Sequence, residues 1–147
     1  MAIASAAACG SATPQTPLEK SPGGLEQVPL TIKTAKGSAN FTVEVAQTPE
    51  QQNQGLMHRQ SLAPDRGMIF PRDPPGDASF WMKDTLIPLD IIFIRSDGTI
   101  ARIAENTVPM SLDPVPSLEP VGAVLEIAGG RSAELGIKPG DKVSWKR

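Results

Sequence analysis

What the chain lacks narrows its function before anything it contains does. A single cysteine, Cys9, among 147 residues rules out an internal disulfide. A single histidine, His58, stands in no motif with a serine or threonine, and the one cysteine lies near the N-terminus, so a nucleophile–histidine enzyme has no basis in the sequence. Lys and Arg form no basic run and the formal net charge is −2, so the electrostatic footprint of a nucleic-acid partner is missing. No apolar stretch approaches the roughly 18 residues of a helical membrane span. No cofactor signature occurs, and no cofactor is expected.

What is present is punctuation. Fifteen prolines and thirteen glycines, spread along the chain, favour many short strands joined by turns over long helices. Near the N-terminus, small residues lead into Cys9-Gly10, an arrangement that resembles the end of a bacterial lipoprotein signal, although Ala6 stands where leucine is usual. The alternative is an ordinary disordered N-terminus that contains a cysteine. Residues 11–27 are rich in Pro, Ser, Thr, Gln and Gly and bury too little apolar surface to order themselves. The expected organisation is a disordered tail over 1–27 and a single globular domain over 28–147, with a periplasmic or membrane-anchored location on the periplasmic side. Membrane contact would come only through a lipid on Cys9.

Within the domain, Leu30–Ile32 and Phe41–Val45 alternate at period two around a Lys36-Gly37-Ser38 turn. Thr48-Pro49-Glu50-Gln51 combines an N-cap, Pro at the first helical position and Gln three residues after the cap, which predicts a helix of about three turns to near Arg59. Met68–Phe70 is a strand that Pro71 should end or confine to an edge. An aromatic strand from Ser79, a turn at Pro88 and an apolar strand opening with Asp90 follow. Asp97-Gly98 then predicts a two-residue hairpin turn into Ile100–Glu105. The proline-rich segment 109–120 should wrap the surface. Val121–Ile127 is a strand, Ala128–Leu135 a helix stopped by Gly136, and Val143–Trp145 a closing strand. The expected fold class is mainly β (α+β), a compact β-sandwich or partly closed barrel of seven or eight short strands with two short helices.

Gly55-Leu56-Met57, Arg59, Gly67–Phe70, Phe80-Trp81-Met82-Lys83-Asp84-Thr85, Ile87–Ile91, Val124–Gly130, Gly136-Ile137 and Gly140-Asp141 together resemble the domain of unknown function family 192, over about Leu30 to Trp145. Asp84 departs from the family pattern, which most often has asparagine there. The resemblance implies a compact, mainly β domain, frequently exported in bacteria. It implies no activity.

Two constellations could carry chemistry. Counting outward from a two-residue Asp97-Gly98 turn sets Ile92 opposite Ile103 and Asp90 opposite Glu105, with the carboxylates about 5 Å apart at Cβ. Such a pair needs a cation or a proton, and Lys83 and Arg59 are the candidates for the cation. It is the raw material of acid–base catalysis. The second constellation is sulfur: Met57, Met68, Met82 and Met110, with His58 beside the first, are ligand types that suit Cu(I), while thioethers equally fill cores. Arg59, Trp81, Lys83, Asp84 and Asp90 form the expected binding set, with Trp81 able to stack on a ligand ring. With no complete catalytic set, the leading expectation is a non-catalytic module of the cell envelope that binds a small molecule or an envelope protein. The alternatives are an enzyme using Asp90, Glu105 and Lys83, and a copper-handling protein.

Overall fold

The computed structural model describes residues 20–21 and 23–146. Cys9 and most of the expected tail lie outside the described residues. The strands are β1 (Gln27–Thr34), β2 (Gly37–Val45), β3 (Arg66–Gly76), β4 (Ser79–Phe80), β5 (Leu89–Ile94), β6 (Ile100–Ala104), β7 (Val115–Pro116), β8 (Val121–Ala128) and β9 (Lys142–Trp145). Helix α1 (Pro49–Gln54) connects β2 to β3, and α2 (Arg131–Leu135) connects β8 to β9.

Seven strands form one sheet in the order β6-β5-β8-β3-β2-β1-β9, and β4 pairs with β7 separately. The sheet curls until its edges approach each other. Thr99, at the start of the β6 arm, bridges Lys142 on β9. The Ile100 N–H donates to the Asp141 carbonyl at 2.9 Å, and the Val143 N–H donates to the Gly98 carbonyl at 2.8 Å. The result is a mainly β half-barrel, partly closed. Its inward face is filled by alternating residues such as Leu30, Ile32, Phe41, Val43, Ile92, Leu125 and Ile127. The other face carries Met68, Phe70, Ile91, Phe93 and Val124, and is covered by Leu56, Ala78 and Met82 from α1's exit and the β4 region. Both β5 and β8 are therefore buried on both faces.

Local chemistry explains where the elements depart from expectation. The capping box at Thr48 and Gln51 forms as expected, but α1 ends after six residues because Gly55 adopts φ 46 and turns the chain back. Pro71 does not end β3. The Ile69 carbonyl accepts from Ala46 on the β2 side, so alternation sends the absent Pro71 N–H to that same side, where β2 has already finished. Its carbonyl there accepts from the Gln52 side chain at 3.0 Å. The folded unit also reaches back beyond residue 27, since Ser21 is buried and its hydroxyl accepts from the Leu25 N–H at 3.2 Å.

The Asp97-Gly98 hairpin differs in detail. The Arg95 N–H donates to the Thr99 carbonyl at 2.8 Å and Gly98 sits at φ 92, so the loop has three residues with a left-handed glycine last. That extra residue is taken back by a bulge at Ala101, and Ile92 pairs with Ile103 as expected.

Candidate functional site

Glu126 is the lone carboxyl in the β8 sequence VGAVLEIA, a strand buried on both faces. Its lateral partners are Met68 on β3 and Ile91 on β5. It keeps 4 % exposure and has no hydrogen-bond or ion-pair partner among the described residues. Burial pushes its carboxyl up to about 8, so at neutral pH the group is mostly a carboxylic acid, one donor with acceptor capacity left over.

Its remaining contact with solvent is the floor of a cleft of about 620 Å³. One wall is α1 and its exit, where Gln52, Gln54 and Met57 face the opening. Gly55 belongs to this wall, and a Cβ there would lie 3.5 Å from the Phe70 ring. The base is aromatic: Phe70 packs edge-on against Phe80 at 5.0 Å between centroids, and Phe80 against Phe93 at 6.3 Å.

The opposite wall is the turn after β4. The Thr85 N–H donates to the Met82 carbonyl at 3.1 Å, closing a turn whose third residue, Asp84, has φ 52. That left-handed position favours Gly or Asn, which gives a backbone reason for the asparagine of the family pattern. The Asp84 carbonyl accepts from the His58 N–H at 2.8 Å and so ties the two walls together. Met82 anchors the turn in the core, which sends its neighbour Trp81 outward to 49 % exposure, with the Lys83 ammonium 5.3 Å from the indole centroid. Arg72 lines the far end. Its Nη2 donates to the Asp77 carbonyl at 2.8 Å, while its Nε is buried without a hydrogen-bond partner.

A depression of about 670 Å³ on the other flank of α1 is slightly larger. Its ionisable residues are the exposed Glu50 and Arg59, and Arg59 is already engaged. It forks onto Glu44 with both terminal nitrogens, Nη2 donating to Oε1 at 2.9 Å. Burial pushes the Glu44 carboxyl up, but hydrogen bonds from Arg59 and Ser21 and the charges of Arg59 and Arg66 outweigh it and hold the group below its ordinary value.

The expected carboxylate pair does not assemble. Asp90 is fully buried, and it is held by backbone donors instead of Lys83 or Arg59: Oδ1 accepts from Asn106 N–H at 2.9 Å and Gly130 N–H at 3.0 Å, and Oδ2 from Ser132 N–H at 2.9 Å. Glu105 is exposed, because β6 ends at Ala104 and Asn106, at φ 48, carries the chain away before the pair can form. Asp90 thus fastens the entry of α2 to the sheet. The sulfur residues also separate. Met68 and Met82 are enclosed in the core, Met57 lines the cleft, Met110 is 51 % exposed, and His58 is exposed. No group of three or more His, Cys, Asp or Glu with metal-binding geometry occurs among the described residues. Of the expected binding set, Trp81, Lys83 and Asp84 share the cleft, while Arg59 and Asp90 lie elsewhere. Glu126 and Arg72 were not anticipated. The signal for Glu126 was a single acid inside an apolar strand with no polar alternation.

Fold and site together define a small half-barrel domain whose convex sheet face opens into a cleft over a buried acid. The chain belongs to the DUF192 family, described as uncharacterised ACR, whose profile matches residues 31–145. It is similar to the crystal structure of a protein of unknown function from Novosphingobium aromaticivorans DSM 12444, with 46 % identity and a TM-score of 0.86, over 93 % of this chain and 100 % of that one. It is also similar to a protein from Sinorhizobium meliloti 1021 described as a candidate transcription regulator, with 43 % identity and a TM-score of 0.80, over 82 % of this chain and 95 % of that one. Among curated proteins none matches.

Proposed function

We propose that this domain is a ligand-binding module of the cell envelope and that its site is the cleft above Glu126. The observation that carries the reading is a buried carboxyl without a partner, facing open volume. Placing such a group in an apolar row costs free energy that a neighbouring donor or cation would ordinarily offset. A small molecule entering the cleft supplies that neighbour. The volume falls in the range of ligand clefts, about 300–1,000 Å³. The half-exposed Trp81 and the Arg72 side chain add contacts at the mouth and far end.

The test is a titration of isotope-labelled protein with mixtures of small polar compounds, followed by amide and indole resonances. Perturbations should concentrate on Glu126, Thr85 and the Trp81 indole. Shifts confined to other surfaces, or none, would reject the site. The envelope location is supported by the small residues preceding Cys9 and the Pro- and Ser-rich spacer after it. The full-length protein should fractionate with membranes in its host and be released by Cys9→Ser; wild-type protein found only in the cytoplasm would reject the location.

A further inference from the structure

We infer that the cleft takes a neutral, hydroxyl-rich ligand, one or two linked sugar rings, with Trp81 as the stacking platform and Glu126 as the buried hydrogen-bonding end. This rests on the reading of the cleft as a ligand site and adds the class of ligand.

The charges around the opening cancel. Arg72 and Lys83 face Glu50 and Asp84 across the same cleft, so it presents no net field that would select a polycation or polyanion. At neutral pH the floor is an uncharged acid, whose natural complement is a group that both donates and accepts, as a hydroxyl does. An ammonium would need the carboxylate, and an anion would gain only a single hydrogen bond there.

The wall on α1 continues the pattern. Gln52 spends both amide hydrogens on the carbonyls of Ala46 and Pro71, each at 3.0 Å, which leaves its side-chain oxygen as a fixed acceptor. Arg72 also lines the cleft, and its guanidinium is a donor. It lies four residues along β3 from Met68, the residue beside Glu126, a span of about 13 Å at strand rise. A ligand serving both ends therefore carries several polar groups along its length. Between them, Phe80 and the exposed indole of Trp81 offer apolar area to the C–H face of a ring, and the indole N–H remains a donor.

The experiment titrates isotope-labelled protein with neutral saccharides (glucose, galactose, mannose, N-acetylglucosamine, maltose, cellobiose and chitobiose) and, in parallel arms, with putrescine and with citrate. A saccharide should give saturable shifts at the Trp81 indole. Trp81→Ala, a change at an exposed position, should weaken that binding at least tenfold. Affinity should fall at least threefold between pH 6 and pH 9 as Glu126 loses its O–H donor, and Glu126→Gln, which keeps the shape of the neutral acid, should abolish that fall and separate Glu126 from Glu50, Arg72, Lys83 and Asp84. Saccharide binding unchanged by Trp81→Ala, or a fall with pH that persists in Glu126→Gln, overturns the inference. Putrescine or citrate binding in the cleft where no saccharide binds overturns the ligand class and leaves the cleft a ligand site. Silence of the cleft toward every probe overturns both.

Discussion

At the scale of single residues, three acids of one chain meet different fates. Asp90 accepts from three backbone N–H groups, and removing its oxygens strands one buried donor, Ser132 N–H, and two part-buried ones. Asp90→Ala should therefore destabilise by about 3–5 kcal/mol, and Asp90→Asn, which keeps one acceptor, by about 1–3 kcal/mol, as read from denaturant melts. A loss below about 1 kcal/mol for alanine would show that the donors find water instead. Glu126 behaves oppositely. Its folded pKa of about 8 lies above its ordinary value of 4.5, so between those limits the native state binds a proton that the unfolded chain does not. Stability then falls as pH rises through this window, by roughly 4–5 kcal/mol in all. Glu126→Gln should flatten that decline and exceed the wild type in stability at pH 9; parallel declines would refute it. Glu44, held below its ordinary value by Arg59, loses its contribution as pH falls below 4.5, so the two together set an optimum just below about pH 4.5. The burial of Asp90 was legible as the opening acid of an apolar strand. Its partners were not, because they come from the segments after β6 and β8, and sequence spacing says nothing about which distant backbone arrives with its donors unspent.

At the scale of elements, turn chemistry was the most readable feature and strand ends the least. The Thr48 capping box is present in full, its hydroxyl accepting from Gln51 N–H at 3.1 Å and the Gln51 side chain accepting from Thr48 N–H at 3.2 Å. Thr48→Ala should cost about 1 kcal/mol. Because α1 contributes no buried residue of its own, the cap carries much of its definition. The loss should appear both in the melt and as faster amide exchange at Gln51 and Gln52, and exchange unchanged from wild type would show that flanking contacts hold the helix without the cap. What misled about β3 was judging Pro71 by the propensity of its own type: the cost of a missing N–H depends on whether a strand lies on that side, which is decided by where β2 stops. The same holds for Glu105. The hairpin register that would have placed it beside Asp90 sets Ile94 opposite Ala101, where the structure has Ile100, but it is correct from Phe93 opposite Arg102 to Ile91 opposite Ala104, and the pair fails because the chain bends at Asn106.

At the scale of the whole molecule, alternation and turn spacing sufficed to predict a mainly β domain, a sandwich or a partly closed barrel, since each strand announces its own buried face. The order of strands was not legible, and it carries a consequence for synthesis. In the sheet order, β8 joins the β6-β5 arm to the β3-β2-β1-β9 arm, and the edge bridge from Thr99 to Lys142 needs β9, which is made later still. A nascent chain up to Pro120 holds five of the sheet's seven strands and lacks β8 and β9, so it has no template on which its two arms can meet. Commitment to the fold must wait until residues 121–128 have left the ribosome, and the earlier hairpins exist until then as separate, sticky fragments with open edges. A chain released at Pro120 should show no cooperative unfolding transition and should aggregate. A sharp thermal transition in that fragment would mean the arms recognise each other directly, and the dependence of this domain on its late-made central strand would be refuted.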